Sequence, residues 1–243
     1  GNLGDGTTEY RDTPGPVVDI TGIVQVAAGS WHGVALDATG NVWSWGLDSS
    51  GQLGRGRFLS SAVPAVVIGL KAVVQVSAGY SHSLALDGEG RVWAWGSNGY
   101  AELGDGSYRD SGTPVRLTTI SDVQAVAAGP YYSLALKRDG TVWGWGSTFP
   151  SPSDNPSVPS FALNNALAIA AGDGHSLALD RDGTVWAWGY NSDGQLGNGT
   201  DSESKVPVQV STLDNIKAIA AGHSHSLALK GDGTVWAWGE NSS

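Results

Sequence analysis

Apolar residues along most of the chain alternate with small or polar ones, in short runs that recur in a set order. Alternation with period two is the signature of a strand with unlike faces. The first run of each set reads V-x-V-A-A-G or a close variant, as in Val24 to Gly29 and Val74 to Gly79. The second reads H-S-L-A-L and the third V-W-A-W. Between these two stand Asp-Gly pairs, at 139–140, 182–183 and 232–233, which favour tight hairpin turns. The fourth run is a proline-led apolar stretch, such as Pro64-Ala65-Val66-Val67 or Pro114-Val115-Arg116-Leu117. Proline suits an outer edge strand because it has no N–H to give to a ladder. No segment carries helical periodicity, so the chain is predicted to be all-β.

The whole set repeats. W-x-W followed by Gly stands at 43–45, 93–95, 143–145, 186–188 and 236–238, with spacings of 50, 50, 43 and 50 residues. A fixed period of this length marks a repeat architecture. Each unit is predicted as one four-stranded blade with two apolar faces. Such a blade must stack on neighbours, and a ring of blades buries both faces. Residues 1–243 are therefore read as one domain of five blades. Large tryptophans alternate with Ala or Gly on the third strand, which predicts all ten W-x-W tryptophans in the core, each burying on the order of 200 Å². The two ends also fit together. Gly1-Asn2-Leu3-Gly4-Asp5-Gly6 supplies the segment that the fifth unit lacks, and from His225 through both ends to His32 is 50 residues, one repeat. The expectation is a closed ring in which a strand near Pro16 to Ile20 becomes the outer strand of the C-terminal blade, leaving no raw edge.

Composition narrows the picture. Hydrophobic residues make up 40% of the chain and eleven residues are tryptophan, which excludes a disordered polymer. No apolar run approaches the length of a membrane helix. No signal-like or basic targeting segment opens the chain, and without a starting Met, Gly1 reads as a processing or cloning boundary. The absence of cysteine rules out disulfides and thiolate metal sites. It is compatible with a secreted bacterial protein and with a cytoplasmic one, so the compartment stays open. A formal charge of −10 argues against nonspecific binding to nucleic-acid phosphates or anionic membranes.

The pattern A-A-G-x-x-H-S-L-A-L, followed by D-G-x-V-W-A-W-G-x-N-x-x-G-Q-L-G-x-G, resembles the regulator of chromosome condensation repeat over nearly the whole chain. The resemblance implies a β-propeller. Members of that family typically have seven blades, against five repeats here. A second departure lies between Gly146 and Pro159, where Ser147 to Asn155 replaces the G-Q-L-G segment, so that loop is expected to be rebuilt. The family includes a guanine-nucleotide exchange factor that also binds nucleosomes, a plant light sensor and a bacterial inhibitor of β-lactamases. The light sensor uses clustered tryptophans, but ten of the eleven here belong to the repeat template, which points to packing.

Several constellations invite a chemical reading. His32, His82, His175 and His225 share one repeat position, with Tyr132 in the remaining copy. Equivalent positions on separate blades lie too far apart to share an ion at bond lengths near ~2 Å. Their expected role is a hydrogen bond that fixes the turn into the second strand. Ser83, Ser133, Ser176 and Ser226 follow directly and read as small packing residues. The glycine-rich run 51–56 lacks the helix that a phosphate loop needs. Asn191, Asp193, Asn198 and Asp201 lack the bidentate Glu of a calcium loop. No triad or carboxylate pair stands out. The chain is therefore expected to be non-catalytic, with no metal or cofactor.

Binding is the remaining class. Loops between strands one and two share a face with loops between strands three and four. Nine aromatics off the template fall in these loops: Tyr10, Trp31, Phe58, Tyr80, Tyr100, Tyr108, Tyr131, Phe149 and Tyr190. Trp31, Tyr80, Tyr131 and His223 stand at variable positions after the A-A-G motif, with Asp173 in the remaining copy, and Tyr100, Phe149 and Tyr190 belong to the other loop set. Aromatics carry binding energy efficiently, having large area and few rotors. Trp31, Tyr80, Tyr100, Tyr131, Phe149, Tyr190 and His223 are therefore the candidate contacts to a protein partner, on a chain expected to be monomeric. Rival readings are an exchange regulator of a small GTPase, an inhibitor of a secreted bacterial enzyme, and an engineered or fragmentary propeller with no native activity.

Overall fold

The structure, a computed structural model, describes residues 1–147 and 159–242. The described residues contain no helix. Strands form where the alternation predicts them. The first sheet is β1 (Ile23–Ala28), β2 (His32–Asp37), β3 (Val42–Gly46) and β4 (Ser61–Val66). The second is β5 (Val73–Ala78), β6 (His82–Asp87), β7 (Val92–Gly96) and β8 (Ser111–Arg116). The third is β9 (Val123–Ala128), β10 (Tyr132–Lys137), β11 (Val142–Gly146) and β12 (Ser160–Leu163). The fourth is β13 (Ala166–Ala171), β14 (His175–Asp180), β15 (Val185–Gly189) and β16 (Ser204–Gln209). The last has three strands, β17 (Ile216–Ala221), β18 (His225–Lys230) and β19 (Val235–Gly239). Every pairing is antiparallel and joins sequence neighbours, so each sheet is a meander. The inner strands β1, β5, β9, β13 and β17 meet in succession, and their Ala-Gly ends surround one central depression.

A polar clamp ties each sheet to the next. Between the first and second sheets, the G-Q-L-G loop approaches β7 so closely that a Cβ on Gly54 would lie 2.8 Å from Trp95 Nε1. That approach lets Trp95 Nε1 donate to Gln52 O at 2.9 Å, while Ser83 Oγ donates to the same carbonyl at 3.2 Å. His32 Nε2 of the preceding sheet lies 2.9 Å from Ser83 Oγ. The same arrangement recurs with Trp145, Ser133, His82 and Glu102 O, and with Trp238, Ser226, His175 and Gln195 O. His32, His82 and His175 therefore bond across to the next sheet and not to their own turn, contrary to the expectation above, and the serines are polar links as well as packing residues. Tyr132 makes the crossing in the third copy, donating to His175 O at 2.6 Å. Along the axis Gln25 and Gln75 add a second link, accepting from Val76 N and Val126 N of the next inner strand at 2.9 and 3.0 Å.

The tryptophans split into two groups. The second is core in four pairs, at Trp45, Trp95, Trp145 and Trp188, and half-buried at Trp238 of the last sheet. The first is only half-buried in four copies, and Trp236 is exposed, which corrects the reading of all ten as core. The first tryptophan stands at the hairpin end, where the sheet meets solvent. There its indole N–H reaches the hairpin carboxylate, as in Trp43 to Asp37 (3.1 Å), Trp93 to Asp87 (3.2 Å) and Trp186 to Asp180 (2.9 Å).

The predicted N-terminal clasp does not form. Residues 16–20 are not a strand, and β19 has no outer partner among the described residues. The segment is held elsewhere. Gly1-Asn2-Leu3-Gly4 takes the G-Q-L-G seat on the first sheet: Trp45 Nε1 donates to Asn2 O at 3.0 Å, and Gly6 N donates to Ala62 O of β4 at 3.0 Å. The chain then folds back, with Val18 N donating to Gly4 O at 2.9 Å. The first and last sheets keep open faces as a result. Val26 is 71% exposed where its equivalent Val76 is 2%, and Val235 is 66% exposed where Val92 is 0%.

The clamp dictates a pH dependence. Each serine proton goes to a loop carbonyl, so each histidine must donate Nε2–H and stay neutral with Nδ1 bare. Nδ1 of His32, His82 and His175 is buried without a partner. Burial accordingly lowers the pKa of His32 and His175 to about 4, and burial together with the nearby His32 lowers that of His82 to about 3. The unfolded chain then takes up protons below pH 6.5 that the folded chain refuses, so stability falls as pH drops from about 6.5 towards 4. His82→Gln should flatten that fall by up to about 1.4 kcal/mol per pH unit relative to the parent. Chemical unfolding at a series of pH values checks this.

Candidate functional site

The hairpins joining β2 to β3 and its equivalents lie at one end of the sheets beside the links between sheets, as where Arg138 N donates to Asp122 O, and the loops joining first to second and third to fourth strands form a mouth at the other. The Ala-Gly corner that ends each inner strand points the next residue or two into this mouth. At those tips stand Trp31, Tyr80, Tyr131, Asp173 and His223. Just after each third strand, a tight loop brings in Tyr100 or Tyr190. An Asn or Asp side chain staples this loop from within. Asn191 Nδ2 donates to Thr200 O at 2.9 Å and to Ser202 O at 3.0 Å, and its Oδ1 accepts from Leu196 N at 2.9 Å. Asn98 and Asp48 hold the equivalent loops, accepting from Leu103 N and Leu53 N.

The structure brings five of the seven candidate residues into one neighbourhood. Tyr131 is central: its ring stacks on Tyr80 with centroids 5.7 Å apart and tilts against Tyr100 at 4.8 Å. Tyr190 lies over Gly174, where a Cβ would sit 2.3 Å from the ring. Tyr100, Tyr131 and Tyr190 then line a pocket of about 390 Å³ together with Asp173, Asp193 and His223. His223 Nδ1 sits 3.0 Å from the Asp173 carboxylate, and this pair also borders the central depression with Tyr80. His223 thus joins the cluster from the last sheet. Trp31 is exposed at the tip on the first sheet and lines neither hollow. Phe149 lies outside the described residues.

The inner rim of the mouth is electronegative. No Lys or Arg occurs at the inner-strand tips (29–31, 79–81, 129–131, 172–174, 222–224), nor in the first turns after the third strands (47–52, 97–102, 190–195). The hairpin end carries Arg91, Lys137, Arg138, Arg181 and Lys230. Beneath the tyrosines Glu102 is buried, accepting from Tyr100 N at 2.8 Å, and burial pushes its pKa up. Burial raises the Tyr131 pKa too, helped by Tyr80 and Tyr100 and by the charges of Asp173 and Glu102, so its hydroxyl stays protonated. In the sequence, Asp193 comes up only as a calcium ligand and is set aside. The signal that could have marked it is the loop-by-loop count of positive charge.

Among the described residues, no group of three His, Asp or Glu side chains is placed to hold a metal ion. What the arrangement offers is aromatic area, carboxylate charge and shape.

Two profiles, both described as the regulator of chromosome condensation (RCC1) repeat, match the chain. One matches residues 39–86, 89–136 and 182–229, more than half of the chain, and the other residues 23–52, 73–102, 167–195 and 216–243. The human RCC1 domain-containing protein 1 is 44% identical over 55 residues, which is 22% of this chain and 15% of that protein. Among solved structures, human WBSCR16 is similar with a TM-score of 0.80 at 24% identity, covering 93% of this chain and 65% of its own. Yeast RCC1 is similar with a TM-score of 0.68 at 22% identity, covering 89% of this chain and 70% of its own. A further structure of the Saccharomyces cerevisiae protein is described with its binding properties to Gsp1p and histones. At these identities the solved structures establish the propeller fold alone.

Two substitutions check the site. Trp31→Ala should leave stability within about 0.5 kcal/mol, because the side chain touches neither the clamp nor the tyrosine cluster. Glu102→Gln should stabilise the protein at pH 7 by on the order of 1 kcal/mol. Gln52 and Gln195 fill the equivalent positions, and each side-chain oxygen accepts the same loop N–H. The sign follows from the raised pKa: the ionised carboxylate lowers stability as pH rises above about 4.5, so the gain should shrink at pH 4. Thermal melts at the two pH values measure it.

Proposed function

The chain belongs to the regulator of chromosome condensation repeat family, and on that premise we propose that it is a non-catalytic protein-interaction module that grips its partner with the loop mouth. The observation that carries this reading is the Tyr80–Tyr131–Tyr100 stack, with ring centroids 5.7 and 4.8 Å apart. These residues stand at loop positions that the repeat leaves free, and none of them takes part in the clamp. Large, partly exposed rings on short, stapled loops lose little side-chain entropy when a partner covers them. Tyr190 and the Asp173–His223 pair extend the surface across the fourth and fifth sheets, and Trp31 extends it towards the first. Binding of Gsp1p and histones by the yeast relative lends support at the level of class: propellers of this family serve as platforms for other proteins. The partner of this chain is its own question.

The test is a comparison of the parent with a Tyr80→Ala, Tyr131→Ala double variant. Both are used as bait in the source proteome, and the recovered partner is then titrated in purified form. The double variant should melt within a few degrees of the parent and bind more weakly by about 2 kcal/mol or more. A partner that binds both forms equally would place the functional surface elsewhere.

A further inference from the structure

The pocket between Tyr100, Tyr131 and Tyr190 has a composition that selects among partners. Its walls are three phenol rings and its acidic residues are Asp173 and Asp193. Asp173 is engaged by His223, whereas Asp193 has no cationic partner among the described residues. Its nearest polar company is Ser192 Oγ, at 3.2 Å, and its own N–H is taken by Gln195. The inner-strand tips and the first turns after the third strands lack Lys and Arg, whereas Arg55, Arg57 and Arg109 lie further along the loops between third and fourth strands. Charge of one sign in a concave, ring-lined site attracts its opposite, and the faces of the rings are negative too.

Resting on the reading of the mouth as an interaction face, we propose that this pocket receives a cationic side chain, an arginine of a basic protein segment. Guanidinium fits the site better than ammonium. It is planar, so it stacks on a tyrosine face while its fork meets a carboxylate, and it is weakly hydrated, so it loses less on leaving water. Asp193 is the principal anionic contact and Tyr131 and Tyr190 are the stacking faces. The Asp173–His223 pair forms a second rim of the pocket.

The probe is a fluorescein-labelled peptide of alternating glycine and arginine, compared with the same peptide carrying citrulline, which keeps the shape of arginine without its charge. Anisotropy titrations use the full chain at low and at physiological salt. The arginine peptide should bind saturably, weaken with salt, and exceed the citrulline peptide by about tenfold or more. Asp193→Asn and Tyr190→Ala should each weaken it about fivefold. Asp122→Asn, the same charge change on the hairpin end, should leave it within about twofold. Asp193 and Tyr190 are surface residues outside the clamp, and unchanged melting temperatures verify the fold. Equal losses from Asp193→Asn and Asp122→Asn would reveal diffuse attraction to an acidic chain and overturn the proposal. So would the absence of saturable binding, or binding unaffected by Asp193→Asn. If the peptide fails while the Tyr80→Ala, Tyr131→Ala bait loses its partner, the cationic class falls and the interaction face stands. If both fail, the interaction face falls as well.

Discussion

A single backbone carbonyl organises each well-formed junction of this propeller. The second residue of the G-Q-L-G loop presents its C=O to the next sheet, where a tryptophan N–H and a serine hydroxyl both donate to it, and the histidine of the previous sheet donates to that serine. All these groups are buried, so each bond counts mainly by what its loss would leave behind: an unsatisfied buried donor costs about 1–3 kcal/mol. The repeat is the consequence. Glycine must end the loop because no Cβ fits against the indole, tryptophan must close the third strand, and the period must bring His, Ser and the loop into register one sheet apart.

The junctions that depart from this pattern show what it does. At the first sheet Gly33 stands where other copies have serine, and Asn2 O still receives the Trp45 N–H, so half of the clamp is kept by the N-terminal segment. At the third junction Tyr132 replaces histidine and spans the gap with its own hydroxyl. At the last sheet His225 has no following serine to meet and is exposed. The clamp occupies the strands and the inner side of the loops. It leaves the tips after each Ala-Gly corner free of structural duty, and there the aromatic residues differ from copy to copy. A rigid frame with variable tips is the usual way a fold separates stability from recognition.

The strands, their hairpins and the family were legible in the sequence because alternation and turn chemistry act within one repeat. What could not be read lies between repeats. Equal spacing says that His82 and His32 do the same job, but not that each reaches a serine fifty-one positions ahead. The fit of the two ends suggested a clasp on the last sheet. The local seat offered to Gly1–Gly4 by Trp45 on the first sheet is the one occupied. Both tryptophans of W-x-W alternate identically, yet only the inner one is deep, since depth depends on distance from the hairpin. Among the candidate contacts, the loop aromatics were recognisable as variable positions. That Tyr80, Tyr100 and Tyr131 touch while Trp31 stands apart follows from the stacking order of sheets. The charge of the mouth was present in the sequence all along and needed only the loops to be grouped by face.

The claim on which the rest stands is that His82 and Ser133 act together across the sheet boundary. A double-mutant cycle measures this directly, with His82→Ala, Ser133→Ala and the double variant compared by urea unfolding at pH 7. Residues sharing a buried hydrogen bond should couple by about 1 kcal/mol or more, so that the double variant loses distinctly less than the two single losses combined. Strict additivity would mean that the two side chains stabilise the fold independently, and the clamp would have to be abandoned as its organising interaction.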